Sequence, residues 1–420
     1  MTQATDGARH DGPSVPGIDF SDHEGFWARP LEERWEAYAR LRREAPVSYH
    51  PEPATDRFPE GPGFWAVTRH ADVLEVSRSA QLFSSASGTS IRDLPAEYNE
   101  FFGSMLNMDD PRHARLRGLV SAAFTPRTMA RIEADLAAIA SGLVDRLLDE
   151  GPCNFVDVVA ARLPLQAICM MMGIPAEHHD LVRHQSDIIL DPGSTPAGVP
   201  RGRAVLEAGR ALAALMDEVV AGLPDDSDTL LGALVRAEVD GQRLTQQEIQ
   251  SFFVVLTAAG NETTRNASTW GLRFLTEFPD QRARWAADLD GLAASAVEEI
   301  VRYASPVIQF RRTVTRDGVR IGDHVFAEGD KVVMFYESAN RDETVFDRPE
   351  TFDIGREPNY HVGFGGPGPH FCIGAHLARR QLMVLFRLLL TRVPGLVADG
   401  PPERSVSSLL NGIRTQHCTW

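Results

Sequence analysis

Apolar residues recur every three to four positions over most of the chain, so helices dominate its predicted elements. Residues 30–43 read as a helix with Pro30 at its start. Phe64–Val67 reads as a strand and His70–Ser77 as a short helix. Residues 78–108 carry Phe83, Phe101, Phe102, Met105 and Leu106 without a period and read as one irregular stretch. Stretches that long inside a compact domain are usually functional. From Asp110 to about Arg236 the pattern is helical, with breaks near Pro126, Pro152, Pro175 and 192–200. Residues 245–276 form one long apolar helix, and a further helix covers 293–304. Short β runs fill 306–336, followed by a proline-rich meander, a glycine-rich loop and a helix over 374–393. The predicted fold class is mostly α with a minor β region.

Composition adds limits. No linker, repeat or low-complexity segment divides the 420 residues, so 19–420 reads as a single domain with a large core. Residues 1–18 are polar and read as a disordered tail, neither signal peptide nor anchor. A net charge of −16 argues against a nucleic-acid partner. No run approaches a membrane span. Four cysteines (Cys153, Cys169, Cys372, Cys418) make no disulfide framework and fit a reducing compartment. The expectation is a cytoplasmic monomer without a membrane anchor.

Cys372 is the most informative residue. It closes the run Phe364-Gly365-Gly366-Pro367-Gly368-Pro369-His370-Phe371-Cys372, directly before a helix. A glycine- and proline-shaped loop at a helix N-terminus holds one sulfur rigidly and favours its thiolate. A lone thiolate is a poor zinc site and suits an axial ligand of haem iron. The competing reading is a buried, inert cysteine in a turn. The spacing Gly363-x-Gly365-x-x-Gly368 also fits a dinucleotide-binding pattern. It lacks a preceding parallel strand, and Leu388–Leu390 stand where the partner acid belongs.

Three further groups stand out. Ala259-Gly260-Asn261-Glu262-Thr263-Thr264 interrupts the long apolar helix with residues that cost helix stability. A threonine hydroxyl bonding back to the carbonyl four residues earlier would open the helix there, and Glu262 and Thr263 would then deliver protons. The bland alternative is a kink with Glu262 reaching solvent. Glu299 and Arg302 share a helix face, as exposed salt bridges often do. His113 and Arg117, after Pro111, also share a face and suit an anionic cofactor group or a solvated basic surface. Asn261-Glu262-Thr263 and Asn266-Ala267-Ser268 match the glycosylation pattern but sit in an apolar helix and are discarded.

Taken together, Cys372, Ala259–Thr264, Glu299/Arg302 and His113/Arg117 resemble the cytochrome P450 monooxygenases along nearly the whole chain. The resemblance implies a triangular, mostly α-helical fold around a b-type haem with Cys372 as proximal ligand. It implies that Glu262 and Thr263 serve oxygen activation. It assigns Glu299 and Arg302, joined by Arg356, to a structural brace for the Cys loop. His113, Arg117, Arg312 and His370 match positions that hold haem propionates, and Phe364 and Ala259 match cofactor contacts. The loop carries one residue more than the commonest bacterial form, with Phe364 eight before the cysteine. That longer form resembles the actinobacterial subset that oxidises methyl-branched lipids and cholesterol side chains. Gln309 departs from that subset where an apolar or aromatic residue is usual, and Leu410 stands where an aromatic precedes Asn411-Gly412-Ile413.

The expected reaction is hydroxylation of an unactivated C–H bond with O2 and electrons from a ferredoxin and its reductase. Arg112, Arg115 and Arg379 are candidate contacts for an acidic donor. The expected pocket comprises Leu94, Phe102, Leu106, Val255, Ala259, Val307, Ile308, Gln309 and Leu410, with 176–225 as a mobile lid. Met170, Met171 and Met172 read as core filler. A branched-chain lipid or isoprenoid is the favoured substrate and a steroid or polyketide the second choice. The rival classes are a haem-thiolate protein driven by peroxide or performing rearrangements, and a haem sensor without turnover.

Overall fold

The computed structural model describes residues 12–55, 58–123, 126–239 and 241–420. Its axis is the helix Gln246–Glu277, 32 residues long, which spans roughly 48 Å at the usual helical rise. Thr245 and Glu248 start it with a reciprocal cap. The Glu248 amide donates to Thr245 Oγ1 at 3.2 Å, and the Thr245 amide donates to Glu248 Oε2 at 2.9 Å. The helices Arg162–Met172, His179–Leu190, Arg201–Gly222, Ala293–Ala304 and Ala375–Arg392 pack around it. Their apolar faces join in one core that includes Phe253, Trp270, Phe274, Ile300, Leu385 and Phe386. Gly271 permits the closest approach, since a Cβ there would stand 2.4 Å from Phe386 Cζ.

The helix passes unbroken through Ala259–Thr264, against the expected opening. Thr263 Oγ1 does donate to the Ala259 carbonyl at 2.8 Å. Thr257, Thr269 and Thr276 make the same back-bond to carbonyls four residues earlier. A carbonyl has two lone pairs, so the hydroxyl adds a bond without displacing the ladder.

A five-stranded sheet flanks the helices, in the order Val47–Glu52, Gly61–Val67, Lys331–Phe335, Gln309–Val314, Phe83–Ser84. Only the pairing of Lys331–Phe335 with Gly61–Val67 is parallel. Both faces are covered. Val332 and Met334 pack with Val67, Val73 and Val76, while Val333 and Phe335 pack with Phe20, Phe26, Trp27 and Phe64. Burial on both sides explains why that strand is a continuous apolar run and not an alternating one. A second sheet joins Val397–Arg404, Ile413–Thr419 and Cys153–Asn154.

Two expectations need correction. The 78–108 stretch is not irregular throughout, because Ala96–Gly103 is helical and Ser104–Asn107 is a 3-10 turn. Pro95 starts that helix, and the following residues include good helix formers. The proposed 1–18 tail falls partly outside the described residues, but residues 12–18 are anchored. The Pro13 carbonyl accepts from the Tyr49 amide at 3.0 Å, and Val15 and Ile18 are buried in the sheet's aromatic cluster. Two apolar side chains in a polar context are enough to pin the segment. The lid region holds two helices joined across 191–200, where Arg201 donates to the Ile188 and Ile189 carbonyls at 2.8 and 3.0 Å.

Glu299 and Arg302 have no exposed side-chain surface. Two 2.8 Å hydrogen bonds join them side-on. Glu299 also accepts from Arg356, Asn359 and the Asp353 amide. Arg302 also donates to the Asn340, Pro349 and Thr351 carbonyls. This is a buried knot and not the exposed bridge that the motif alone allows. Replacing Glu299 with Ala leaves Arg302 buried and unpaired, and should cost about 3–5 kcal/mol. Urea unfolding of the purified variant measures this; a loss under 1 kcal/mol would show that the knot does not hold the meander.

Candidate active site

The loop before Cys372 is shaped by its contacts with the helix His70–Arg78. Gly368 has φ +153°, and a Cβ there would lie 2.3 Å from the Ser77 carbonyl oxygen. Gly365 adopts φ +84°, which glycine accepts without strain. The Cys372 amide then donates to the Phe364 carbonyl at 3.0 Å, closing the loop just before the helix Ala375–Arg392. The Arg379 guanidinium stacks 4.2 Å over the Phe364 ring. Cys372 is accessible although protein crowds it, and so is Ala259, at the middle of the central helix.

The expected thiolate does not arise from the protein alone. Burial pushes the Cys372 thiol above its ordinary value, and the Gly374 amide, Arg117 and Arg379 only partly offset it. A positive ion at the sulfur is what would ionise it.

Four basic side chains meet beside the loop. His113 and His370 stack with ring centroids 4.4 Å apart. Arg117 donates to the Phe371 carbonyl at 2.7 Å. Buried Arg312 donates to the Arg311 carbonyl at 2.8 Å. Burial first, then the positive charges of Arg312, His113 and Arg117, press the His370 pKa down to about 3. Burial also lowers Arg312. His113 Nδ1 faces Asp110 at 3.2 Å, while its buried Nε2 has no partner. Two arginines beside two imidazoles, one with an orphaned ring nitrogen, fit an anionic group, so the set suits the carboxylates of a haem. Ser85 Oγ contacts His370 Nε2 at 3.1 Å, and nothing in the sequence around Ser85 signals it.

Glu262 does not reach solvent. It is buried, and its Oε1 accepts from Arg265 and from Asn266. Arg265 also donates to Asp187 at 3.0 Å, on the helix His179–Leu190. Burial raises the Glu262 pKa despite Arg265, and Asp187 raises it further. The sequence analysis missed Arg265 and Asp187. The first was visible as a charge three residues on; the second is 75 residues distant. Thr263 lies one helical turn beyond Ala259, on the same face.

Glu298 is the other functional residue that sequence reasoning passed over. It pairs with Arg379 at 2.8 Å and with His361 at 2.9 Å, bridging both sides of the Cys loop. Arg379 and Arg115 are therefore already engaged, the latter with Glu248. Of the expected pocket, Leu94, Phe102, Leu106, Val255 and Val307 are half-buried and Leu410 bridges to Val307. Gln309 is buried with Oε1 unpartnered. Ile308 is a correction: it is fully buried in the cluster of Phe20, Trp27 and Phe335. Neighbours in an extended segment point to opposite faces.

Comparisons with known proteins bear on the chain as a whole. The cytochrome P450 family model matches residues 223–394. A methyl-branched lipid omega-hydroxylase of Mycobacterium tuberculosis is 45% identical over 98% of this chain and 98% of its own. A steroid C26-monooxygenase of Mycolicibacterium smegmatis is 37% identical over 96% of this chain and 93% of its own. The solved Mycobacterium marinum cytochrome P450 in complex with pseudoionone superposes with a TM-score of 0.88. It is 42% identical, covering 97% of this chain and all of that one.

Glu298 supplies a pH test. Burial alone would raise its pKa, but hydrogen bonds from Arg379 and His361 outweigh burial and hold it at about 2, against an ordinary 4.5. A depressed carboxylate stabilises the fold above its unfolded pKa, and this is lost as pH falls through the folded one. The stability advantage of wild type over Glu298→Gln should be full above pH 4.5 and shrink as the pH falls toward 2. Denaturant unfolding across that range checks it, and a pH-independent difference would contradict the pairing.

Proposed function

The chain belongs to the cytochrome P450 family of monooxygenases, and from that premise we propose that it hydroxylates an unactivated C–H bond of a branched-chain lipid or isoprenoid. The carrying observation is that Cys372, at the end of its glycine-shaped loop, and Ala259, on the central helix, both keep accessible surface although protein crowds the sulfur. The cofactor is read as haem b, with Cys372 holding the iron and His113, Arg117, Arg312 and His370 holding its carboxylates. Haem, when bound, supplies the one-electron and O2 chemistry that no side chain offers.

The chain's own part is positioning and proton supply. Thr263 donates its hydroxyl proton to the Ala259 carbonyl, so its oxygen is left to accept a hydrogen bond. Glu262 Oε1 is taken by two donors, so a proton held by that carboxyl sits on Oε2. Its raised pKa keeps the carboxyl protonated to higher pH than an exposed glutamate, which suits a proton donor. Phe364 and the Cys loop fix the sulfur, and Val255, Val307 and Leu410 exclude water and orient an apolar chain.

Electrons are read as coming one at a time from a separate ferredoxin and its reductase. Arg112, Arg115 and Arg379 are read as its contacts, and Arg115 and Arg379 also pair with Glu248 and Glu298. Residues 12–420 are read as one catalytic domain, monomeric and cytoplasmic. Among the described residues no helix is long and apolar enough to cross a membrane. The second reading, a steroid hydroxylase, is favoured by the 37% identity to the steroid C26-monooxygenase.

Optical titration of the ferric protein separates these readings. A low-to-high-spin Soret shift is expected with branched fatty acids or isoprenoids; shifts confined to sterols would move the substrate class. In the reconstituted system, Thr263→Ala should lower product per NADH severalfold and raise peroxide release. Unchanged coupling would remove Thr263 from the proton path.

A further inference from the structure

A cavity of about 240 Å³ opens at the N-terminal end of the central helix, lined by Ser104, Met108, Arg112, Thr245, Gln247, Glu248 and Ser251. Ser104 is the anomaly in it. Its φ is +43° with ψ −136°, a conformation that side chains rarely adopt. Its hydroxyl is buried, at 1% exposure, and has no hydrogen-bond partner. Strained backbone and an orphaned buried hydroxyl are independent features, and both gather at ligand sites. The space exceeds what one water needs several times over.

The cavity also shares a helix face with the reactive end. Glu248, Ser251, Val255, Ala259 and Thr263 follow one another at intervals of three or four residues. Exposure grows along that line, from buried Glu248 and Ser251 through half-buried Val255 to exposed Ala259. From Ser251 or Glu248 to Ala259 is roughly 12–16 Å along the axis, the length of an extended chain of roughly ten to thirteen carbons.

The charges in the cavity are already matched. Glu248 is held by Arg115 and by the Thr245 amide, and Ser251 Oγ donates to the Phe101 carbonyl at 2.9 Å. An added carboxylate would meet Glu248; an added hydroxyl would meet Ser104 as donor or acceptor. We propose that this cavity is a head-group subsite that receives a neutral hydroxyl of an elongated apolar substrate, with Ser104 Oγ as its partner. The substrate's far end then lies against Ala259. This rests on the monooxygenase reading above and adds to it a polarity and a length.

The test compares three ligands of equal length, of about twelve carbons and methyl-branched: a primary alcohol, the alkane and the fatty acid. Soret titrations are run on wild type and on Ser104→Gly. Glycine removes the hydroxyl and accepts the positive φ, so folding is protected. Ser104→Ala is the second variant. Wild type should bind the alcohol about tenfold more tightly than the alkane, the size of one well-made hydrogen bond. Both variants should bring the alcohol to the alkane's affinity and leave the alkane unchanged. An alcohol affinity untouched by the substitutions, or a parallel loss for the alkane, overturns the subsite. Fatty-acid binding that is tightest and depends on Ser104 overturns the neutral head group. A wild type with no Soret shift for any of the three overturns the lipid reading itself and the subsite with it.

Discussion

A carboxylate with no exposed surface, gripped by two guanidinium groups, fixes the ground on which the sulfur stands. Glu299 ties the helix Ala293–Ala304 to Arg356 and Asn359, while Arg302 takes three carbonyls of the 340–351 segment. A buried ion pair is weak support for net stability, because desolvation opposes it. What it gives is position: every N–H of the Arg302 guanidinium and both Glu299 oxygens have directed partners, so the meander has one place to be. Glu298, one residue earlier, does the same for His361 before the Cys loop and Arg379 after it. Two adjacent carboxylates thus hold the segments on both sides of Cys372.

The remaining electrostatics follow from what the protein leaves unbalanced. Around Cys372 and His370 positive charge accumulates and burial opposes it, which lowers His370 and Arg312. Around Glu262 negative charge accumulates instead, shared with Asp187 over a single Arg265. One region is prepared for an anion and the other for holding a proton. These opposite preparations sit on different elements, so each can be altered without disturbing the other.

Much of this was legible in the chain. The long helix, the Cys loop and the Glu299/Arg302 spacing were visible because local rules govern them: periodicity, glycine and proline placement, and i,i+3 pairing. Contacts between distant segments were not. Asp187 meets Arg265 only because the helices pack, and Ser85 reaches His370 across the whole fold. The strand Val397–Arg404 contains Gly-Pro-Pro and gives no strand signal; it forms because Ile413–Thr419 pairs with it. Ile308 was misplaced for a related reason. Apolar character identifies a buried residue, while the face it takes depends on a register that only the sheet sets. At Cys372 the Gly374 amide, Arg117 and Arg379 favour the thiolate, and burial opposes them.

The adjacency of Glu298 and Glu299 has a consequence for how this chain can change over generations. Successive residues on a helix point about 100° apart, so the two carboxylates serve different partners only in one rotational setting. A single inserted or deleted residue between Glu299 and Arg302 would turn one about 100° away from the other, so Arg302 would lose Glu299 while Glu298 and Glu299 kept different partners. In the joint at 191–200, Asp191 is tied to Arg414 and Thr195 to Arg201, but residues 196–200 carry no polar side chain to hold. Length variation should therefore be purged from the first segment and accumulate in the second, whatever substrate a descendant enzyme comes to use.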